Sequence, residues 1–176
     1  RVVPDARRIP VISYEEMLEM ASSGSKVMQS RSVEFAKKFG VKFEVRNSMN
    51  TNPGTLVTEE DMSMESVVIR GVSIERDQAK ITIRGVPDQP GNASQVFLAL
   101  AGAHLNIDMI VQNVGLDGKA NISFTLHKND LVKATATLAP VLAALPGATM
   151  AADDGIAKLS AVGIGMRSHS GVAAQM

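Results

Sequence analysis

Residues 79–113 read AKITIRGVPDQPGNASQVFLALAGAHLNIDMIVQN, and the predicted fold is built around this segment. Residues 79–84 alternate small or apolar with polar side chains, which predicts a half-buried strand. Two prolines and a glycine within residues 86–91 end the strand, because proline cannot donate to a sheet ladder. A helix is predicted from Asn92, and residues 107–111 predict a second strand. The predicted buried face of the helix consists of Val96, Phe97, Leu100 and Ala101.

The start of this helix is a candidate binding site. A helix that directly follows a strand presents unpaired backbone N–H groups at a sheet end, and such groups bind small anions such as a carboxylate. Asp88 lies beside them in the sequence and can pair with an ammonium group. An α-amino acid carries both groups, so the turn suits such a ligand. The alternative, which is commoner for an Asp-x-Pro-Gly turn, is that Asp88 and Asn92 only cap the helix.

The N-terminal third of the chain predicts two helices. Ser13 and Glu16 have the spacing of a capping box, so we expect a helix from there to about Ser22. Residues 30–39 predict a second helix, for which Gly40 is well placed as the C-terminal glycine. The predicted inward face of this second helix is formed by Val33, Phe35 and Ala36.

Strands and turns are predicted between these helices and the central stretch. Residues 41–46 alternate strictly and predict a strand, while residues 47–54 contain almost only turn formers and give the strongest predicted boundary. Residues 55–57 predict a short strand. Residues 67–74 predict another strand, followed by a charged turn at residues 75–78.

The C-terminal part continues the alternation of strands and helices. A glycine-rich hairpin is predicted at residues 115–118, and Asp153-Asp154 is predicted to lie in a polar turn. The further elements are strand 121–126, helix 130–144, edge strand 148–152 and strand 158–162. From residue 79 to about residue 152 the predicted order is βαββαβ, which is the ferredoxin-like α+β arrangement with two helices on one face of an antiparallel sheet.

Composition excludes several classes of function. Eighteen basic and eighteen acidic residues give a net charge of zero, and aromatic residues make up only 3%, which argues against a nucleic-acid partner or an anionic membrane. The absence of cysteine excludes a disulfide scaffold and a thiolate nucleophile. No apolar run is long enough to span a bilayer, and a cytoplasmic location is the default expectation. The three histidines, His104, His127 and His169, show no metal-ligand spacing, so we assign no metal site and no catalytic residue.

The motifs of the central stretch resemble the ACT domain of aspartate kinases. They are Asp88-Gln89-Pro90-Gly91 before the helix, then Asn106-Ile107-Asp108-Met109 before a strand that ends in Gln112-Asn113. Upstream, residues 1–7, 12–17 and 31–34 resemble the end of that family's kinase domain. Downstream, residues 162–172 resemble the opening of its second ACT domain. The resemblance covers nearly the whole chain in order.

The resemblance implies a division of the chain into parts of a longer enzyme. Residues 1–58 would be the C-terminal end of the kinase domain, 59–66 a linker, 67–153 the first ACT domain, and 154–176 the truncated start of the second. The parent enzyme would use ATP with magnesium to convert L-aspartate to 4-phospho-aspartate, at the head of lysine, threonine and methionine biosynthesis. Arg1 and Lys26 match the family's ATP-contacting positions, while Gln29-Ser30 departs from the His-Pro common there. This chain alone would be catalytically incomplete.

The resemblance also implies feedback regulation by threonine, lysine or both. In the family, ACT domains pair side by side across subunits and bind the effector at the paired interface. The first site would use Asp88, Gly91, Ala93, Asn106, Ile107, Asp108 and Gln112. The second site would use Met166, Ser168, His169, Gly171, Val172 and Ala173. Some relatives carry threonine where Ala173 stands, and the missing hydroxyl disfavours lysine sensing more than threonine sensing.

Two other interpretations remain open from the sequence. The first is a stand-alone amino-acid-sensing ACT subunit without kinase activity. In either case the expected assembly is a homo-oligomer or a pairing of catalytic and regulatory subunits through ACT domains. The helical segment of residues 12–39 argues against a free-standing sensor, which has no use for a kinase tail. A ferredoxin-like module that binds nucleic acid or protein would need aromatic residues on its sheet and a basic excess, and the chain has neither.

Overall fold

The computed structural model describes residues 5–25, 27–61, 69–115 and 117–163, together with Gly171 and Ala174. Their elements in chain order are β1 Val11–Ser13, α1 Tyr14–Ser22, α2 Ser30–Lys38, β2 Phe43–Val45, β3 Thr55–Thr58, β4 Gly71–Pro87, α3 Asn92–Gly102, β5 Ile107–Val114, β6 Lys119–His127, α4 Leu131–Ala143 and β7 Thr149–Val162. The chain divides into two compact units. Unit 1 comprises Arg1–Glu75 with Leu159–Met176, and unit 2 comprises Arg76–Lys158.

Unit 1 contains a three-stranded sheet in the order β1-β3-β2. Strand β1 runs parallel to β3, and β2 runs antiparallel to it. Helix α1 begins with the predicted capping box, which is confirmed: the Glu16 N–H donates to Ser13 Oγ at 3.1 Å, and the Ser13 N–H donates to Glu16 Oε2 at 3.3 Å. This reciprocal pair satisfies two backbone donors at the start of the helix.

Among the described residues of unit 1, one buried apolar cluster consists of Ile12, Tyr14, Met17, Val33 and Val57. Helix α2 ends as predicted before Gly40, whose φ of 61° lies in the left-handed region that glycine adopts without strain. The prediction that Phe35 points inward is wrong, because its side chain is 60% exposed and only Val33 of this helix is buried.

The connection between β2 and β3 does not separate two domains. Strand β2 covers only part of the predicted residues 41–46, and it pairs antiparallel with β3. Within the connection, Arg46 Nη2 donates to the Thr51 carbonyl at 2.9 Å, and the Gly54 N–H donates to Glu44 Oε1 at 2.7 Å. The turn formers of residues 47–54 therefore join two strands of one sheet, and their interpretation as the strongest boundary is wrong.

Unit 2 has the predicted ferredoxin-like topology. Its elements follow one another as β4, α3, β5, β6, α4 and β7, and the sheet order is β5-β6-β4-β7. Strand β6 runs antiparallel to both β4 and β5. The predicted βαββαβ order is thereby confirmed.

The core of unit 2 lies between this sheet and its helices. Buried side chains of the helices include Val96 and Leu100 on α3 and Ala134 and Leu138 on α4. They belong to one cluster with the strand residues Ile81, Ile83, Ile122, Phe124 and Leu126. The Phe97 ring meets Phe124 edge to face, with 5.9 Å between centroids. Ala101 is exposed, so its placement on the buried face is wrong.

Two predicted turns are parts of long strands. Residues 75–78 lie inside β4, where Gln78 pairs with His127 of β6. Asp153 and Asp154 lie inside the edge strand β7. A polar stretch continues a strand when its side chains project from exposed positions, as those of Arg76 and Asp77 do. Of the predicted strand 67–74, the first two residues lie outside the described part, and β4 begins at Gly71.

Candidate functional site

The turn after β4 leads directly into helix α3. The Asp88 N–H donates to the Gly118 carbonyl at 3.0 Å, which fixes the turn against the β5–β6 hairpin, while the Asp88 side chain is exposed. Gly91 is the N-cap residue, and its φ of 98° requires glycine. The turn therefore places a free carboxylate at the start of the helix.

No side chain caps helix α3. The Asn92 side chain donates to the Pro87 carbonyl at 2.8 Å, so it stabilises the turn and does not accept from the helix. The alternative that Asp88 and Asn92 only cap the helix is wrong. The Asn92 N–H donates to the Gln89 carbonyl at 3.2 Å, and the remaining backbone N–H groups of the first turn, from the half-buried Ala93 onwards, are left for a small anion.

The start of β5 holds a second group of the predicted residues. Asn106 is exposed, and Ile107 is half-buried against the core of unit 2. Asp108 is exposed and forms an ion pair with Lys158 Nζ of strand β7. The ladder is irregular between Ile107 and Ile110, where the Met109 N–H donates to Thr125 Oγ1 at 3.2 Å. Lys158 was missed from the sequence, since an isolated lysine in a predicted strand carries no distinguishing signal.

The register of the sheet separates these two groups. Val86 and Val114 both pair with Ala120, so the turn at Asp88 lies at the end of the sheet where β5 finishes. Ala79 and Ile107 both pair with Leu126, which puts Asn106 and Asp108 at the opposite end. Between Ile107 and Val114 the strand advances roughly 23 Å at about 3.3 Å per residue. One copy of the chain does not bring Asp88, Gly91 and Ala93 together with Asn106, Ile107 and Asp108.

Gln112 lies between the two groups on β5. It pairs with Ile122 of β6, and its side chain is exposed. Because β5 is an edge strand, Gln112 lies on a strand that is available to pair with a further strand.

The edge strand β5 is apolar and exposed. Met109, Ile110, Val111 and Val114 are each between 50% and 53% exposed. Edge strands of monomeric proteins are usually protected by charges, proline or a covering element. Between Met109 and Val114 the strand has no charged residue and no proline, and no described element covers its exposed side chains. An edge of this kind is suited to pairing with another strand.

Other predicted positions lie outside the described residues. These are the two ATP-binding candidates, Arg1 and Lys26, and five positions of the second effector site, namely Met166, Ser168, His169, Val172 and Ala173. Gly171 is described: it is exposed, its φ is 85°, and its carbonyl accepts from the Ala174 N–H at 3.1 Å.

Within the described ranges, no group of three or more histidine or acidic side chains is arranged to hold a metal ion. Helices in the same ranges are too short or too polar to cross a membrane.

Comparison with known proteins links this geometry to one family. The model of the ACT domain family matches residues 81–141. The aspartokinase of Pseudomonas aeruginosa is 49% identical over 178 residues, which covers 100% of this chain and 43% of that protein. The chain therefore spans less than half the length of the curated relatives it matches.

Solved structures agree with the sequence matches. The regulatory subunit of aspartate kinase from Thermus thermophilus, in a ligand-free form, is 39% identical, with a TM-score of 0.57 over 61% of this chain and 71% of that chain. The aspartate kinase of Clostridium acetobutylicum has a TM-score of 0.82 over 99% of this chain and 40% of its own. At 17% identity, that second likeness concerns the fold alone.

Proposed function

Because the chain belongs to the aspartate kinase family, we propose that it is the regulatory part of an aspartate kinase. The complete enzyme transfers a phosphoryl group from ATP, with magnesium, to L-aspartate and gives 4-phospho-aspartate in the cytoplasm. One observation supports the proposal above all. The chain contains a ferredoxin-like ACT unit, and all of its 176 residues match part of an aspartokinase. The match to a separate regulatory subunit covers only 61% of the chain, which favours the longer enzyme over a stand-alone sensor.

We assign the parts of the chain as the sequence predicts them. Residues 1–58 belong to the end of the kinase domain, and Arg1 and Lys26 contact ATP phosphates there. Cations suit this role, because phosphoryl transfer depends mainly on positioning and on stabilisation of negative charge. Residues 59–66 form a linker, residues 67–153 the first ACT domain, and residues 154–176 the start of the second.

The effector of the first site is threonine, lysine or both, bound between two copies of unit 2. A free amino acid is far shorter than the distance between the two groups of site residues, so a single copy does not complete the site. If strand β5 of one copy pairs antiparallel with β5 of a second, the Asp88 end of each copy lies beside the Asn106–Asp108 end of the other. The exposed apolar edge of β5 supports this arrangement.

Each group of residues has a role in the paired site. The uncapped N-terminus of α3, with Gly91 and Ala93, accepts the effector carboxylate. Asp88 attracts the ammonium group across a short distance. Asn106, Ile107 and Asp108 of the second copy, together with the Gln112 amide at the interface, provide the remaining polar contacts. The second site is formed by Met166, Ser168, His169, Gly171, Val172 and Ala173.

Regulation follows if the effector binds one arrangement of the paired units more tightly than another. An effector shifts a conformational equilibrium only by its difference in affinity for the two states. A ligand held between two copies meets this requirement, since its contacts depend on how the copies are arranged. The catalytic part of the enzyme then responds to the preferred arrangement.

Calorimetric titration of the 176-residue chain with threonine and with lysine tests this proposal. We expect binding of at least one of them, and we expect Asp88→Ala to abolish it. Asp77→Ala, which removes an exposed carboxylate elsewhere in β4, is the matched control and should leave binding unchanged. Binding that persists in Asp88→Ala, or failure of both amino acids to bind, would overturn the effector assignment. Inhibition of aspartate phosphorylation in the full-length enzyme tests the kinase assignment separately.

A further inference from the structure

A lysine side chain of unit 2 is paired with one of the proposed effector-site residues. Lys158 Nζ of β7 forms an ion pair with Asp108 Oδ2 at the start of β5, although the two residues lie fifty positions apart in the chain. The Lys158 side chain is only 13% exposed, whereas that of Asp108 is 53% exposed. Because the lysine is largely withdrawn from solvent, its ammonium is held beside the carboxylate more firmly than in a pair between two surface side chains.

Asp108 keeps one carboxylate oxygen for a ligand. The ion pair uses Oδ2, and no hydrogen bond from a described residue reaches Oδ1. An ionised carboxylate accepts through both oxygens, so Oδ1 is available to a hydroxyl or another neutral donor. The irregular ladder between Ile107 and Ile110 includes this residue, and its exposed side chain is accessible from outside the sheet.

The ion pair changes the charge that a ligand meets at Asp108. A carboxylate that already holds an ammonium attracts a second cation much less than an isolated carboxylate does, since the second cation is repelled by the first. A neutral hydroxyl meets no such repulsion. Discrimination between ligands through an unfavourable contact with the wrong one is a general route to specificity.

The orientation of the ligand follows from the proposed function, on which this inference rests. The start of α3 and Asp88 take the carboxylate and the α-ammonium group of the effector, so its side chain projects towards Asp108 of the second copy. A threonine side chain brings a neutral hydroxyl to that position. A lysine side chain brings an ammonium, which has the same charge as Lys158.

We propose that Lys158 determines the charge selectivity of the first effector site. It occupies Asp108 Oδ2 with a cation of the same chain, excludes amino acids with a cationic side chain, and leaves Oδ1 for a small neutral donor such as the hydroxyl of threonine. Regulation by lysine then requires a different site. The competing role of Lys158 is a structural one, in which the ion pair only fastens the start of β5 to β7.

Calorimetric titration of Lys158→Met with threonine and with lysine distinguishes these two roles. Methionine is unbranched and apolar, so it replaces the stem of the lysine without the charge. We expect the ratio of the lysine dissociation constant to the threonine dissociation constant to fall at least about tenfold relative to the wild-type chain. Lys158→Arg keeps the cation and should keep the wild-type ratio. A purely structural role changes both dissociation constants by the same factor, and that result would overturn the proposal.

Lys128→Met is the matched control. Lys128 Nζ forms an ion pair with Asp154 Oδ2 at 3.1 Å in the same unit, and the two side chains are 49% and 60% exposed. This variant removes one positive charge from unit 2, as Lys158→Met does, but leaves Asp108 paired. We expect the ratio of dissociation constants to change by less than about twofold. A fall as large as that in Lys158→Met would assign the selectivity to net charge and not to Lys158.

A comparison of two ligands tests the same point in the wild-type chain, whether or not Lys158→Met folds. Norleucine has the side-chain carbon skeleton of lysine without the ammonium group. We expect the wild-type chain to bind norleucine at least about tenfold more tightly than lysine, and this preference to shrink in Lys158→Met. Lysine binding to the wild-type chain as tightly as norleucine would overturn the proposal.

The outcomes for the proposal and for the proposed function can be told apart. If the wild-type chain binds threonine or lysine with a selectivity that does not depend on Lys158, the effector site stands and the proposal is overturned. If neither amino acid binds the wild-type chain, the effector assignment itself is overturned, and the proposal with it.

Discussion

Arg70 Nε lies 3.4 Å from Glu16 Oε2, and the two side chains are only 12% and 2% exposed. The same Glu16 carboxylate accepts from the Ser13 N–H in the capping box of α1. The Arg70 backbone N–H donates to the Val162 carbonyl at 2.7 Å, at the end of β7. One residue just before β4 is thus joined both to the first turn of α1 and to the last residue of β7.

Loss of this buried ion pair should destabilise unit 1. In Glu16→Gln the guanidinium of Arg70 remains buried without this carboxylate, which we expect to cost about 3 kcal/mol of unfolding free energy. Urea unfolding of the 176-residue chain measures the change. Lys37→Met is the control, because it breaks the exposed pair of Lys37 with Glu15, and it should cost less than about 0.5 kcal/mol. Equal losses of unfolding free energy in the two variants would show that the buried ion pair stabilises the chain no more than the exposed pair does.

Gly85 should not tolerate a side chain. Its φ is 72°, and a Cβ at this position would lie 2.8 Å from the Gly147 carbonyl oxygen. We expect Gly85→Ala to lower the stability of unit 2 by about 2 kcal/mol, from backbone strain and from displacement of the Gly147 turn. Gly102→Ala, in the last turn of α3 with open space around it, is the comparison and should be neutral or slightly stabilising. Thermal unfolding followed by circular dichroism distinguishes the two variants. An unchanged stability of Gly85→Ala would contradict the close contact between Gly85 and the Gly147 carbonyl.

A charge on the edge of β5 should prevent self-association. Val111 is 53% exposed on this strand, and lysine at an edge opposes pairing because its charge would be buried at the interface. We expect the wild-type chain to be a dimer at micromolar concentration and Val111→Lys to be a monomer, as measured by light scattering. Val132→Lys, at a 79% exposed position of α4, should leave the dimer intact. If Val132→Lys dissociates the dimer and Val111→Lys does not, the dimer interface lies on the helices and not on β5.

The central unit could be predicted from the sequence because its elements combine several local signals. Alternation in residues 79–84, the proline-glycine turn and the helical spacing of Val96 and Leu100 agree with one another, and the structure confirms all three. The capping box at Ser13 and Glu16 is similarly local. Such signals depend on neighbours within one turn or one strand, so they need no knowledge of the tertiary fold.

Other features depend on contacts that the sequence pattern does not specify. Residues 75–78 and Asp153-Asp154 were predicted as turns because they are polar, yet both lie in long strands whose exposed positions accept charge. The helical spacing of Phe35 predicts that its side chain faces the core. Whether another element covers that side chain depends on the tertiary fold, and no element in the described part of unit 1 does so. The ion pair of Asp108 with Lys158 joins residues fifty positions apart, and no local pattern indicates it.

Mixing two binding-deficient variants shows whether the effector site combines residues of two copies. The variants Asp88→Ala and Asp108→Asn are prepared separately, then mixed by co-expression or joint refolding and titrated with threonine and lysine in a calorimeter. In a two-fold pair, a mixed dimer has one site with both carboxylates intact and one with neither. We expect each variant alone not to bind and the mixture to regain about a quarter of the wild-type sites. Exchange of subunits in the mixture is verified first. If the exchanged mixture then binds no more effector than either variant alone, the site is not shared between two copies.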